Sequence, residues 1–211
     1  MSIGKLYIIS APSGAGKTSL VKRLIADVEN LVVSISHTTR PIRPGEKNGE
    51  DYYFVAADEF KTLLDNGALL EHASVVDNYY GTAKTTVEQN LNESYDVILE
   101  IDWQGAQQIK RLCPESTSIF ILPPSTDVLE QRLKNRGQDD ELVIARRMRD
   151  AVTEISHHDE FDYILVNQDF DKALTELKSI VIANRLTKER QKHNLKTLIS
   201  DLLISPVVAK H

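Results

Sequence analysis

Ala11-Pro12-Ser13-Gly14-Ala15-Gly16-Lys17-Thr18 is the stretch on which the fold turns. An apolar run, Leu6-Tyr7-Ile8-Ile9, comes just before it, and Leu20, Val21, Leu24, Ile25 and Val28 follow at helical spacing. A strand, a glycine-bearing turn with a lysine and then a helix form the setting in which this pattern cradles phosphate. Gly14 and Gly16 let the backbone bend so that successive N–H groups point inward at an anion. The helix starting near Lys17 adds its positive N-terminal end. Lys17 is expected to reach the β- and γ-phosphates, and the Thr18 hydroxyl to ligate Mg²⁺. Ala11 stands where the general G-x-x-x-x-G-K-[ST] pattern has its first glycine. The run from Ala11 to Thr18 predicts a nucleoside triphosphate site, with an ordinary glycine turn as the bland alternative.

The rest of the 211-residue chain suits one large α/β domain with insertions. No apolar run is long enough to cross a membrane, and the first strand begins too early to leave room for a signal peptide. The single cysteine, Cys113, excludes an internal disulfide and suits a reducing compartment, so a cytoplasmic protein is expected. Cys113 has no partner for a metal site and reads as structural. A formal net charge of −6 argues against general nucleic-acid affinity. Positive charge for a triphosphate must therefore be placed locally.

Strands and helices alternate, which predicts a mainly parallel sheet flanked by helices. Short β-branched runs at 31–35, 97–101, 119–122 and 163–166 read as its strands. Helical patterns follow at 104–112, 128–133 and 170–180. Residues 36–82 differ: prolines, glycines, tyrosines and short alternating stretches mark an inserted, mostly β subdomain. The core is then 1–35 and 83–190. A polar insertion at 136–141 makes 132–147 a candidate lid. Residues 191–211 read as a helical tail, whose Leu195, Leu198, Ile199, Leu202 and Leu203 are expected to pack on the body or on another subunit. That stripe leaves a homo-oligomer open.

Asp96-Val97-Ile98-Leu99-Glu100-Ile101-Asp102 is an apolar strand ending in acids, which a phosphate cradle needs nearby to hold Mg²⁺ or its waters. Period two places Glu100 and Asp102 on one face. Thr18 with Asp102 is the expected metal set, Glu100 being the rival carboxylate. Asp102 also falls where the next helix would be capped. Asp102-Trp103-Gln104-Gly105 matches the D-x-x-G element of GTPases, but Val166-Asn167-Gln168-Asp169 lacks the lysine of an N-K-x-D guanine reader.

The insertion contains Ser36-His37-Thr38-Thr39-Arg40-Pro41-Ile42-Arg43-Pro44-Gly45-Glu46, then Asp51-Tyr52-Tyr53-Phe54, Leu70-Glu71-His72-Ala73 and Asn78-Tyr79-Tyr80-Gly81-Thr82. With the cradle and Ile101-Asp102-Trp103-Gln104-Gly105-Ala106 in this order, the chain resembles the guanylate kinases, most closely the bacterial ones. The resemblance runs to about Arg190. It implies a P-loop nucleoside monophosphate kinase fold whose insertion binds GMP, with ATP as donor and Mg²⁺ as cofactor. It places Arg40, Arg43, Tyr52 and Tyr80 on the GMP phosphate, and counts Glu46, Gly81, Glu100 and Asp102 among the GMP-site residues. Guanidinium forks suit such a dianion. Glu71 would accept from guanine N1–H and its 2-amino group, while Ser36 and Thr82 donate to O6. Arg132, Arg136 and Arg147 become lid arginines, with Lys17, Arg43, Arg136 and Arg147 on the transferred phosphoryl group. Asn167, with Arg132 and Arg136, completes the ATP side. The family shows Asn-Asp there, and here Gln168 follows Asn167. Direct in-line transfer without a phosphoenzyme is expected, with dGMP as a further acceptor and no nucleic-acid or membrane partner. Guanylate-kinase-like scaffold domains, the binding-module alternative, generally have a degraded cradle.

Overall fold

Every residue of strand β1 (Leu6–Ser10) is buried, which requires a strand on each side and a helical layer on each face. The computed structural model describes residues 4–75, 77–135 and 141–204. In it β1 is the middle strand of a parallel sheet in the order β2 (Leu31–Ser34), β7 (Asp96–Glu100), β1, β8 (Thr117–Leu122), β9 (Tyr163–Val166). The four apolar runs expected as strands are all members, as the α/β fold class requires. Period two sorts their side chains between the layers. Tyr7 and Ile9 join Leu20, Val21 and Leu24 of α1 (Lys17–Asp27) and Leu174 and Leu177 of α7 (Phe170–Arg185). Leu6 and Ile8 join Val87 of α3 (Lys84–Asn92) and Ala106 and Ile109 of α4 (Trp103–Leu112). Cys113 is a free thiol packed at the edge of this second layer.

A second, mixed sheet draws on residues 37–83 in the order β4 (Tyr53–Phe54), β3 (His37–Thr38), β6 (Asn78–Ala83), β5 (Leu69–Val75). Helix α2 (Ala57–Asp65) buries Phe60 and stacks it on Tyr79, ring centroids 5.6 Å apart. Helices α5 (Thr126–Asn135) and α6 (Glu141–Ser156) share a small apolar seam of Leu129, Leu133, Ile144 and Ala151. Arg136 and most of the polar insertion lie outside the described residues.

The tail forms α8 (Lys188–Asn194) and α9 (Lys196–Ile204), and the expectation that its stripe packs on the body is not met. Helix α9 buries no residue, and Leu203 is 78% exposed. Both faces of the parallel sheet are already covered by α1 and α7 and by α3 and α4, which leaves the stripe no core surface to join.

At the sheet's opposite end from the cradle, the Asp96 carboxylate is buried, its side chain 1% exposed. Its Oδ1 accepts from the Lys5 backbone N–H at 2.7 Å and lies 2.9 Å from Arg190 Nη2. Its Oδ2 accepts from Arg185 Nε at 2.8 Å, and Arg185 also donates to the Glu29 and Asn30 carbonyls. Asp96→Ala removes the shared partner of two arginines, and a loss of about 3–5 kcal/mol in urea unfolding is expected. Turnover of the folded fraction should be unchanged. A loss below about 1 kcal/mol would mean that this cluster behaves as a solvated surface pair.

Candidate active site

The carboxyl ends of β1, β7 and β9 meet at one rim, the place where open parallel sheets bind ligands. After β1 the chain turns through Gly14 and Gly16, at φ 92° and 94°. Gly16 is the N-cap of α1 and offers no side-chain bond to the helix's first N–H groups, whereas Asp102 and Asp169 cap α4 and α7 with their carboxylates. The unsatisfied donors of α1 are thus kept for an anion.

The loop is braced from β9. Asn167, 5% exposed, donates from Nδ2 to the Ala15 carbonyl at 2.7 Å. Arg132 of α5 donates to the same carbonyl at 3.4 Å and to the Asn167 carbonyl at 3.0 Å. A Cβ on Gly16 would stand 2.3 Å from Asn167 Nδ2, so the close approach needs glycine as much as the positive φ does. Asn167→Ala strips the brace, and the expected cost is about 1–3 kcal/mol of stability. The KM for the nucleotide held in this cradle should rise ~10-fold while that for the second substrate stays within about twofold, as steady-state kinetics in both would show. A parallel rise in both would argue against a local brace.

Of the two acids weighed from sequence, Glu100 meets the cradle: Thr18 Oγ1 donates to its Oε2 at 3.3 Å. Asp102 is engaged by α4, Oδ1 accepting from the Gly105 N–H at 3.0 Å and Oδ2 from Gln104 Nε2 at 3.0 Å. The D-x-x-G stretch is therefore a capped helix start. Among the described residues no cluster of three or more His, Cys, Asp or Glu could hold a metal ion. A cation here would be shared between protein oxygens and the nucleotide.

In the second sheet Arg40 is buried beneath Tyr52 and Phe54, its guanidinium 5.4 and 5.6 Å from their ring centroids. Glu46 orients the arginine loop: Oε1 accepts from Arg40 Nη2 at 2.7 Å and Oε2 from the Arg43 backbone N–H at 2.8 Å. Tyr52 packs edge-on against Tyr80, centroids 5.9 Å apart. Burial, followed by the Glu100 charge, pushes the Tyr52 hydroxyl up to about 12, which keeps it a proton donor. Burial and then the charges of Arg40 and Arg147 pull Arg43 below its ordinary value. Arginines from two separate segments thus bring their charge to bear on Arg43, which suits the binding of an anion.

Glu71 on β5 is 3% exposed. Thr82 Oγ1 donates to its Oε1 at 2.6 Å, and Ser36 Oγ lies 3.4 Å from Thr82 Oγ1. Gly81, the neighbour of Thr82 on β6, pairs with His72. Burial pushes the Glu71 carboxyl up to about 7, with Asp102 pushing the same way and the Thr82 bonds and the Lys17 charge opposing. Lys17 acts on Glu154 as well. That α6 carboxyl is pushed up to about 7 by burial, while Lys17 and the Ser13 backbone N–H pull against it. Glu154 belongs to none of the sequence motifs. Its signal was the seven-residue step from Arg147, which puts both on one helical face.

The guanylate kinase family model matches residues 3–184. The guanylate kinase of Methylococcus capsulatus is 59% identical over 203 residues, covering 96% of this chain and all of that protein. That of Escherichia coli is 56% identical over 205 residues, covering 96% and 99%. The crystal structure of guanylate kinase from Anaplasma phagocytophilum superposes with a TM-score of 0.76 at 35% identity, covering 90% of each chain.

The chain belongs to the guanylate kinase family. Guanylate kinases are nucleoside monophosphate kinases, and the two-part site has the form such an enzyme needs. The negative net charge is reconciled by arginines gathered at the rim. Among the described residues no helix is long and apolar enough to cross a membrane.

Proposed function

We propose that this member of the family transfers the γ-phosphoryl group of ATP to GMP, and to dGMP as well. The observation that carries the guanine reading is the buried Glu71–Thr82–Ser36 chain, whose carboxyl also feels the charge of the cradle's Lys17. Guanine presents two donors beside one acceptor, and a carboxylate with two hydroxyls matches that pattern; adenine presents the opposite one.

Residues Ala11 to Thr18 hold the triphosphate, Lys17 bridging its β- and γ-phosphates. Arg40, Arg43, Tyr52 and Tyr80 hold the GMP phosphate, with Glu46 setting the two arginines. A GMP phosphate oxygen attacks the γ-phosphorus in line, a new P–O bond forms, and the bond to ADP breaks. Arg43 and Arg147 gather the charge that spreads over the transferred group. Arg136 would join them, though it lies outside the described residues. Thr18 and Glu100 offer the hard oxygen donors that Mg²⁺ takes, and Asp102 follows Glu100 by two positions. Bound there, the ion would neutralise charge on the β- and γ-phosphates. Keeping water out of this cleft would prevent idle hydrolysis of ATP.

Coupled ADP release with Mg·ATP against GMP, dGMP, AMP, CMP and UMP tests the reading. Turnover confined to the guanine nucleotides is expected. Equal rates with AMP, or label transferred from ATP to the protein, would overturn it.

A further inference from the structure

Gln108 belongs to none of the motifs that carry the reaction, yet its side chain grips the strand that bears Glu71. Its Oε1 accepts from the His72 backbone N–H at 3.1 Å, and its Nε2 donates to the His72 carbonyl at 2.7 Å. Strand β5 is the edge of the second sheet, with β6 on its other side. The amide therefore supplies His72 with the donor and acceptor that a further strand would have provided.

Two more contacts run along the same helix. Gln104 Nε2 reaches the Ser74 carbonyl at 3.5 Å. Gly105 lies under Glu71 so closely that a Cβ there would stand 2.5 Å from Glu71 Oε2. Positions 104, 105 and 108 share one face of α4 by the three- and four-residue rule. The sheet ladder is least able to define β5 here, because the register with β6 shifts between Leu69 and Glu71. An outside clamp one residue beyond the irregularity supplies what the ladder lacks.

We propose that Gln108 is a specificity-positioning residue: by clamping the His72 main chain to α4 it holds the Glu71 carboxylate where guanine is read. The inference rests on Glu71 being that reader. Few side chains can substitute. Glutamate turns an acceptor toward the His72 carbonyl, asparagine is one methylene short, and lysine and arginine carry no acceptor.

The test is steady-state kinetics of full-length Gln108→Glu, Gln108→Ala and Glu71→Gln, with Mg·ATP as donor and GMP or IMP as acceptor. IMP lacks only the 2-amino group. For both Gln108 variants the KM for GMP should rise ~10-fold and the GMP-over-IMP preference should fall ~10-fold, with the KM for ATP within about twofold. His72 is exposed, so Gln108→Ala leaves its backbone groups to water, and thermal unfolding will confirm the fold. If the Gln108 variants keep the wild-type preference while Glu71→Gln loses it, the clamp is refuted and the guanine reader stands. If Glu71→Gln keeps the preference, the reader is refuted and the clamp falls with it. Equal rises in both KM values, with the preference intact, would reduce Gln108 to a general stabiliser and overturn the proposal.

Discussion

Glu71→Gln lowers kcat/KM for GMP by ~10³–10⁴ and makes the free protein more stable, a pairing that few mechanisms produce. The loss arises because guanine's two donors need two acceptors, and an amide turns a donor toward one of them. The gain follows from the sign of the pKa shift. Burial first of all raises the Glu71 carboxyl from its ordinary value to about 7, so the folded chain binds this proton more tightly than the unfolded one. Its contribution to stability therefore falls as pH rises between about 4.5 and 7, and above that the buried anion is a standing cost. Glutamine removes the cost. The same shift predicts that the wild-type KM for GMP rises as pH drops through about 7, because a protonated Glu71 offers one acceptor fewer. The GMP phosphate also titrates in this range, so the profile should be divided by that of Glu71→Gln, which shares the phosphate and lacks the carboxyl. A flat ratio would remove Glu71 from the guanine site, and a variant less stable than the wild type would mean that its buried carboxylate is no net cost.

Arg147→Lys is expected to lower kcat by ~10²–10³ with little change in either KM, and Arg147→Met by ~10³ or more. Arg147 comes from α6 and its charge acts on Arg43, a member of the arginine loop that faces β4 and β6. A planar fork can bind two oxygens of a transferring phosphoryl group, and lysine keeps the charge while losing that geometry. Saturating steady-state kinetics separate the roles. An unchanged kcat with raised KM values would place Arg147 in ground-state binding rather than in the transition state.

The cradle was legible because its signal is local. Positive φ at Gly14 and Gly16, an apolar strand before and an amphipathic helix after are all spelled out within about 25 residues, and backbone sterics leave few other solutions. The three inner strands were legible for the same reason, since a strand buried on both faces must be apolar throughout, and the edge strands β2 and β9 are apolar runs without that burial. For the tail, expected on the body or on another subunit, the structure speaks only against the body. Its leucines repeat at helical spacing, yet helical spacing says only that a face is apolar, and the core had no room left for that face.

Amino-acid sequence by itself determined the α/β fold class, the glycine turn between strand and helix, and the family, because each rests on backbone preference or on several motifs in one order. Tertiary structure alone decided which acid stands against Thr18, that Asn167 braces Ala15 across 152 positions, that Glu154 approaches the cradle, and that Gln108 grips β5 from 36 positions away. Those partners are ordinary polar residues whose role comes from where the packed helices and strands bring them, and no local pattern encodes a distance between segments that meet only after folding.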